Sequence, residues 1–114
     1  MDVIPFEKLS PERLTDTITR RYVYGEKGML VRFELQKGAI IPLHHHPNEQ
    51  ITYIVSGKVK VTIDGKDLIV SSGEVLIIPS NVAHQFEALE DTIDIDLFSP
   101  PRQDWISGDD SYFR

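Results

Sequence analysis

The chain contains no cysteine. This removes disulfides and thiolate ligands together and leaves nitrogen and oxygen donors for any metal. No apolar run approaches the roughly 18 residues of a membrane helix, and no charged-then-apolar leader opens the sequence. A soluble, cytoplasmic protein with no membrane partner is therefore expected. Basic charge is scarce as well: 12 Lys and Arg stand against 18 Asp and Glu, a net charge of −6. Nucleic acid is bound through clustered Lys and Arg that this chain does not show, so it is excluded as a partner. With 114 residues, 40% hydrophobic and 26% charged, residues 1–114 make one small domain, too short for two cores and long enough for one.

Helical periodicity is also missing. The segment Met1 to Tyr24 is irregular, and Ser10-Pro11-Glu12 reads as an N-cap with Pro at the first position of a short helical turn. From Met29 the pattern becomes two-fold. Met29, Val31, Phe33 and Leu35 share one face, with Arg32 and Glu34 on the other, a half-buried strand. In KVKVTI the residues Val59, Val61 and Ile63 alternate with Lys58, Lys60 and Thr62. Asp64-Gly65 then predicts a hairpin turn back into Lys66 to Val70. The continuous run Val75 to Ile78 predicts a strand buried on both sides. Further strands are expected at Val82 to Leu89 and Thr92 to Phe98, and Ser99-Pro100-Pro101 closes the regular part. About eight short strands separated by turns argue for an all-β antiparallel barrel or jelly roll. The tail SGDDSYFR is polar enough to be mobile unless Tyr112 and Phe113 dock.

Three of the four histidines fall in GAIIPLHHHPNEQITYIVSG, residues 38–57. On a strand His44 and His46 point to one face, about 7 Å apart, so both imidazoles can close on one ion. Pro47 and Asn48 break that strand, and Gln50 begins the next, offering a third donor. His84, in a similar setting, would supply the fourth. His45 points the other way and is read as solvent-facing or as a support for the ligands.

These residues resemble the cupins, whose motifs are G-x5-H-x-H-x3-E-x6-G and G-x5-P-x-G-x2-H-x3-N. Gly38, His44, His46 and Gly57 fall in register with the first motif, and Gly73, Pro79 and His84 with the second. The resemblance spans roughly residues 28 to 102. Gln50 stands in place of the usual ligand Glu, Asn81 in place of a Gly and Ala88 in place of the final Asn; Asn tolerates positive φ well enough to replace Gly. Three imidazoles and an amide leave the 2+ charge of a divalent ion uncompensated, which makes the site a stronger Lewis acid and a magnet for an anionic substrate. Such a donor set suits one Ni, Zn, Fe, Co or Mn ion per chain without choosing among them.

On the last strand Asp94, Asp96 and Phe98 share a face opposite Ile93, Ile95 and Leu97. Either the aliphatic face is core and the aspartates are solvated, or the polar face lines a metal-bearing lumen where a carboxylate moves protons. Arg102 is read as a bidentate grip for a substrate carboxylate or as an ordinary surface arginine. If Gln50 faces the lumen, Ile51, Tyr53 and Val55 face outward. This apolar stripe is expected to be covered by a homodimer, or else by another layer of the chain.

HHHPNEQITYIVSGKV and DLFSPPRQDW are similar to the KdgF group of cupins, the pectin-degradation proteins. That resemblance implies a metal held by His44, His46, Gln50 and His84, with Asp96, Phe98 and Arg102 around a small anionic sugar-acid substrate. It implies ring opening of 4,5-unsaturated monouronates from pectin or alginate to the linear keto sugar acid, with Asp96 moving the proton, Arg102 orienting the carboxylate and Phe98 packing on the ring. A metal-dependent small-molecule dioxygenase and a non-catalytic sugar-acid or metal-binding module are the alternatives.

Overall fold

The computed structural model describes residues 1–113. It contains ten strands: β1 (Glu12–Arg13), β2 (Ile18–Tyr24), β3 (Met29–Leu35), β4 (Ile40–His44), β5 (Glu49–Ser56), β6 (Lys58–Ile63), β7 (Lys66–Ser71), β8 (Val75–Ile78), β9 (His84–Ala88) and β10 (Thr92–Ser99). They form a six-stranded sheet in the order β1-β2-β3-β10-β5-β8 and a four-stranded sheet in the order β4-β9-β6-β7. All neighbours are antiparallel. The sheets face each other as in a jelly roll and do not close into a true barrel.

Alternation decides which side chains lie between the sheets. Met29, Val31, Phe33 and Leu35 of β3 are buried, together with Val59 and Val61 of β6 and Phe86 and Ala88 of β9. The Asp64-Gly65 hairpin forms as expected, with φ of 53° and 71°. On β5 and β10 the inward set is polar at one end. Gln50, Thr52, Asp94 and Asp96 are buried beside Ile54 and Phe98. Register aligns them, since Phe98 lies opposite Gln50, Asp96 opposite Thr52 and Asp94 opposite Ile54. At Gly57, which has φ +98°, an added Cβ would run into Asp91 O and Thr92; glycine lets this turn pack on the start of β10.

Several expectations are corrected. Pro11 does not open a helix: Glu12–Arg13 pairs with Thr19 and Arg20, and the short helical turn is a 3₁₀ turn at Phe6–Lys8. The N-terminal segment is not irregular throughout, because β2 runs for seven residues along the whole of β3. Val75–Ile78 is not buried on both faces. It is an edge strand whose Val75 and Ile77 are 55% and 59% exposed. Beyond the cis peptide at Ser99-Pro100, the chain makes one helical turn, α1 (Gln103–Ile106), and a 3₁₀ turn at Ser111–Phe113. Phe113 is buried against Phe33 and Trp105, so the tail docks. No helix of the described residues is long and apolar enough to cross a membrane.

Candidate metal centre

His44 ends β4 directly opposite His84 at the start of β9, and His46 follows two residues on. One ring nitrogen from each of the three lies within 4.8 Å of the others. His46 and His84 are 4% and 1% exposed, whereas His45 faces solvent as expected. Asn81, in the left-handed region at φ 64°, donates its backbone N–H to the His46 carbonyl at 2.8 Å, tying one motif to the other. Asn48 Nδ2 donates to the carbonyls of Pro100 and Pro101, fixing the loop after the histidines to the Pro-Pro corner.

The rings are held in one tautomer. Nδ1 of His44, His46 and His84 lies 2.8, 3.0 and 2.8 Å from the carbonyls of Pro42, Asn48 and Val82. A carbonyl only accepts, so each Nδ1 carries the proton and each Nε2 presents a lone pair. Burial, reinforced by the Arg102 charge and outweighing these hydrogen bonds, lowers His44 to about 3 and His46 to about 4, and depresses His84 as well. The imidazoles are therefore neutral at neutral pH. His84 Nε2 is buried with no partner among the described residues.

Gln50 completes the set. Its Nε2 donates to Thr52 Oγ1 at 2.9 Å, which turns Oε1 toward His46 Nε2 at 3.1 Å. Two acceptors facing one another at that distance repel unless a cation lies between them. The orphaned His84 nitrogen and this acceptor pair both show that the four donors fit a metal ion, and that all are N or O donors suits a divalent transition metal.

Around the donors lies a cavity lined by His44, Gln50, His84, Asp96, Phe98 and Arg102, of only about 10 Å³. The site residues expected from the sequence thus come together, His46 against Gln50 and Phe98. Thr52 Oγ1 donates to Asp96 Oδ1 at 2.7 Å. Arg102 is 1% exposed, and its fork is held by Asp104, Nε to Oδ1 at 2.9 Å and Nη2 to Oδ2 at 2.6 Å, with Tyr112 Oη 2.8 Å from Nη2. Burial alone would raise the Asp104 carboxyl, but the Arg102 hydrogen bonds and charge hold it below its ordinary value. Three residues at this site had no role in the sequence reading: Thr52 within β5, Trp105 past the expected end of regular structure, and Tyr112, named there only as a residue that could dock, which stacks on His44 with ring centroids 4.7 Å apart and 23° between planes.

The cupin domain pattern matches residues 31–99. The chain is a member of the cupin family. This cupin is 34% identical over 98 residues to the pectin degradation protein KdgF of Dickeya dadantii, covering 83% of this chain and 89% of that protein. The solved structure of KdgF from a Halomonas species superposes with a TM-score of 0.81 at 30% identity, over 87% of this chain and 94% of that one. An RmlC-like cupin from Shewanella frigidimarina gives a TM-score of 0.81 at 29% identity, over 87% and 90% of the two chains.

Proposed function

We propose that this cupin is a metal-dependent enzyme that opens cyclic 4,5-unsaturated monouronates to the linear keto sugar acid. The observation that carries the reading is the joining of Asp96 to the donor set through Thr52 and Gln50, beneath the same cavity as the histidines. A divalent ion held by His44, His46, Gln50 and His84 would supply Lewis acidity toward the sugar oxygens. The chain's own residues do the rest. Linearisation is an isomerisation: as the ring C–O bond breaks, the anomeric hydroxyl loses its proton and the ring oxygen becomes an enol, which ketonises by gaining a proton on carbon and losing one from oxygen. Asp96 takes and returns these protons through its carboxylate, whose Oδ1 is steadied by Thr52. Phe98, edge-on to His46, supplies an apolar wall for the ring. Arg102, lying 4.9 Å from the Phe98 ring centroid, would meet the substrate carboxylate by loosening its pairing with Asp104.

Ligand pockets usually hold some 300–1,000 Å³, so substrate entry requires the Tyr112–Phe113 tail to withdraw from the 10 Å³ cavity. The working unit is a homodimer joined through the outer face of the six-stranded sheet. Register sets Leu30, Leu97, Ile51 and Ile77 in one row across β3, β10, β5 and β8, and Ile95, Tyr53 and Val75 in the next. This apolar patch, bordered on β3 by Arg32 opposite Ile95, is self-complementary in chemistry, as a two-fold contact requires.

The test is incubation with lyase-generated unsaturated monouronates while the ultraviolet absorbance of their C=C bond is followed. Faster loss than the spontaneous reaction supports the reading. A rate equal to it, in protein loaded with each of Ni, Zn, Fe, Co and Mn, would sink it.

A further inference from the structure

Asp94 is the one fully buried acidic side chain for which the proposed reaction has no use. It is 0% exposed, and neither carboxyl oxygen accepts a hydrogen bond from any donor among the described residues. The strand register identifies its surroundings. Across the sheet its same-face neighbours are Phe33 of β3 and Ile54 of β5, both buried and apolar. Along β10 they are Thr92 and Asp96. The Thr92 hydroxyl is committed to the backbone, donating toward the carbonyls of Lys58 and Glu90 and accepting from Lys58 N–H. Asp96 alone remains as a polar partner, two residues along on the same face of β10.

Two ionised carboxylates in one dry pocket repel each other and forgo their hydration, so one proton must be held there. The neighbours decide where. Burial raises Asp96 too, but it has Thr52 as a hydrogen-bond donor at 2.7 Å, and the Arg102 charge and the Gln50 amide oppose that rise. Asp94 has no such support; burial first, and the Asp96 charge next, hold it well above the ordinary carboxylate range.

We infer that Asp94 is a positioning residue, a neutral carboxylic acid whose hydroxyl hydrogen-bonds the Asp96 carboxylate and anchors the far end of the relay from Asp96 through Thr52 and Gln50 to the metal donors. An ionised Asp96 can only accept, so Thr52 must donate to it and must in turn accept from the Gln50 amide, which leaves Gln50 Oε1 facing the histidines. The proton on Asp94 thus fixes the direction of each bond in the chain. The catalytic half of this inference rests on the proton-moving role proposed for Asp96.

Two measurements test it. Infrared spectroscopy at neutral pH, without substrate, should show the C=O stretch of a protonated carboxyl that is absent in Asp94→Asn; no such band in the parent overturns the inference, whatever reaction the protein performs. In the uronate assay Asp94→Leu, which cannot donate, should keep its metal content and KM while kcat falls about 10- to 100-fold, the size of a lost hydrogen bond to a charged group. Asp94→Asn, whose amide can donate, should recover most of that loss. A Leu variant with the parent's kcat overturns the positioning role. Should Asp94→Leu not fold, the infrared comparison of the parent with Asp94→Asn decides alone.

Discussion

Thr52 Oγ1 lies 2.7 Å from Asp96 Oδ1, and the two residues sit directly opposite each other on adjacent strands. The carboxylate is thereby oriented without being a metal donor. Asp96→Asn should therefore keep the fold and the bound ion, and lower the rate by about 10²- to 10⁴-fold, as the loss of a positioned acid or base commonly does. Metal analysis and steady-state kinetics on the same preparation separate the two effects. Parental turnover would remove Asp96 from the mechanism.

The donor set makes a stoichiometric prediction. Untagged protein should carry about one divalent ion per chain by elemental analysis, and the joint change of His44 and His46 to Ala should abolish it. A double variant with unchanged metal content would contradict the ligand assignment.

Acid should destabilise the metal-free protein. Unfolded imidazoles titrate near 6.5, whereas burial takes His44 to about 3 and His46 to about 4 in the folded state. The unfolded chain binds more protons throughout that interval, so this contribution to stability is full above about 6.5 and is lost progressively as the pH falls toward 3. Asp94 works in the opposite sense. Its raised folded value means that stability is lost as the pH rises above the ordinary 3.8. Asp94→Asn should therefore be more resistant to urea than the parent at pH 7, with the advantage gone below about 3.8. Urea titrations in chelator at several pH values check both signs.

The docked tail should tax substrate binding. Only the fraction of molecules with Tyr112 withdrawn admits a ligand, and apparent affinity scales with that fraction. Tyr112→Ala removes both the His44 stack and the Arg102 hydrogen bond, so KM should fall. A higher KM would show instead that the tyrosine holds the substrate.

Ile77 is 59% exposed at the β8 edge of the proposed dimer face. Light scattering at micromolar concentration should give twice the chain mass, and Ile77→Asp should give the single mass with the metal retained. A monomeric parent would rule the dimer out.

Much of this arrangement was legible in local pattern. The alternation of Met29 through Leu35, the Asp64-Gly65 turn and the His44, His46 spacing each depend on near neighbours alone, and His84 is read from its own local motif with Gly73 and Pro79. β2 was hidden because its inward position is Arg20, a charge where the two-fold pattern calls for an apolar residue. That arginine is 1% exposed and pairs with Glu12 on the neighbouring strand and with Asp110, far away in sequence. Val75–Ile78 misled for another reason. An apolar run does not reveal whether its second face meets the same chain, and here Val75 and Ile77 are left more than half exposed. The roles of Thr52 and Tyr112 come from tertiary contacts that no local period encodes.

Trp105, the sole tryptophan of the sequence, is set among the groups that change when the site is used. The guanidinium carbons of Arg20 and Arg102 lie 4.4 and 4.5 Å from its ring centroid, Phe98 meets it at 5.3 Å, and its Nε1–H points to Tyr112 Oη at 2.9 Å. Indole emission responds to nearby charge, to its N–H partner and to exposure to water. The protein thus carries a single indole whose fluorescence would report the proposed metal uptake and tail withdrawal optically, with no label attached.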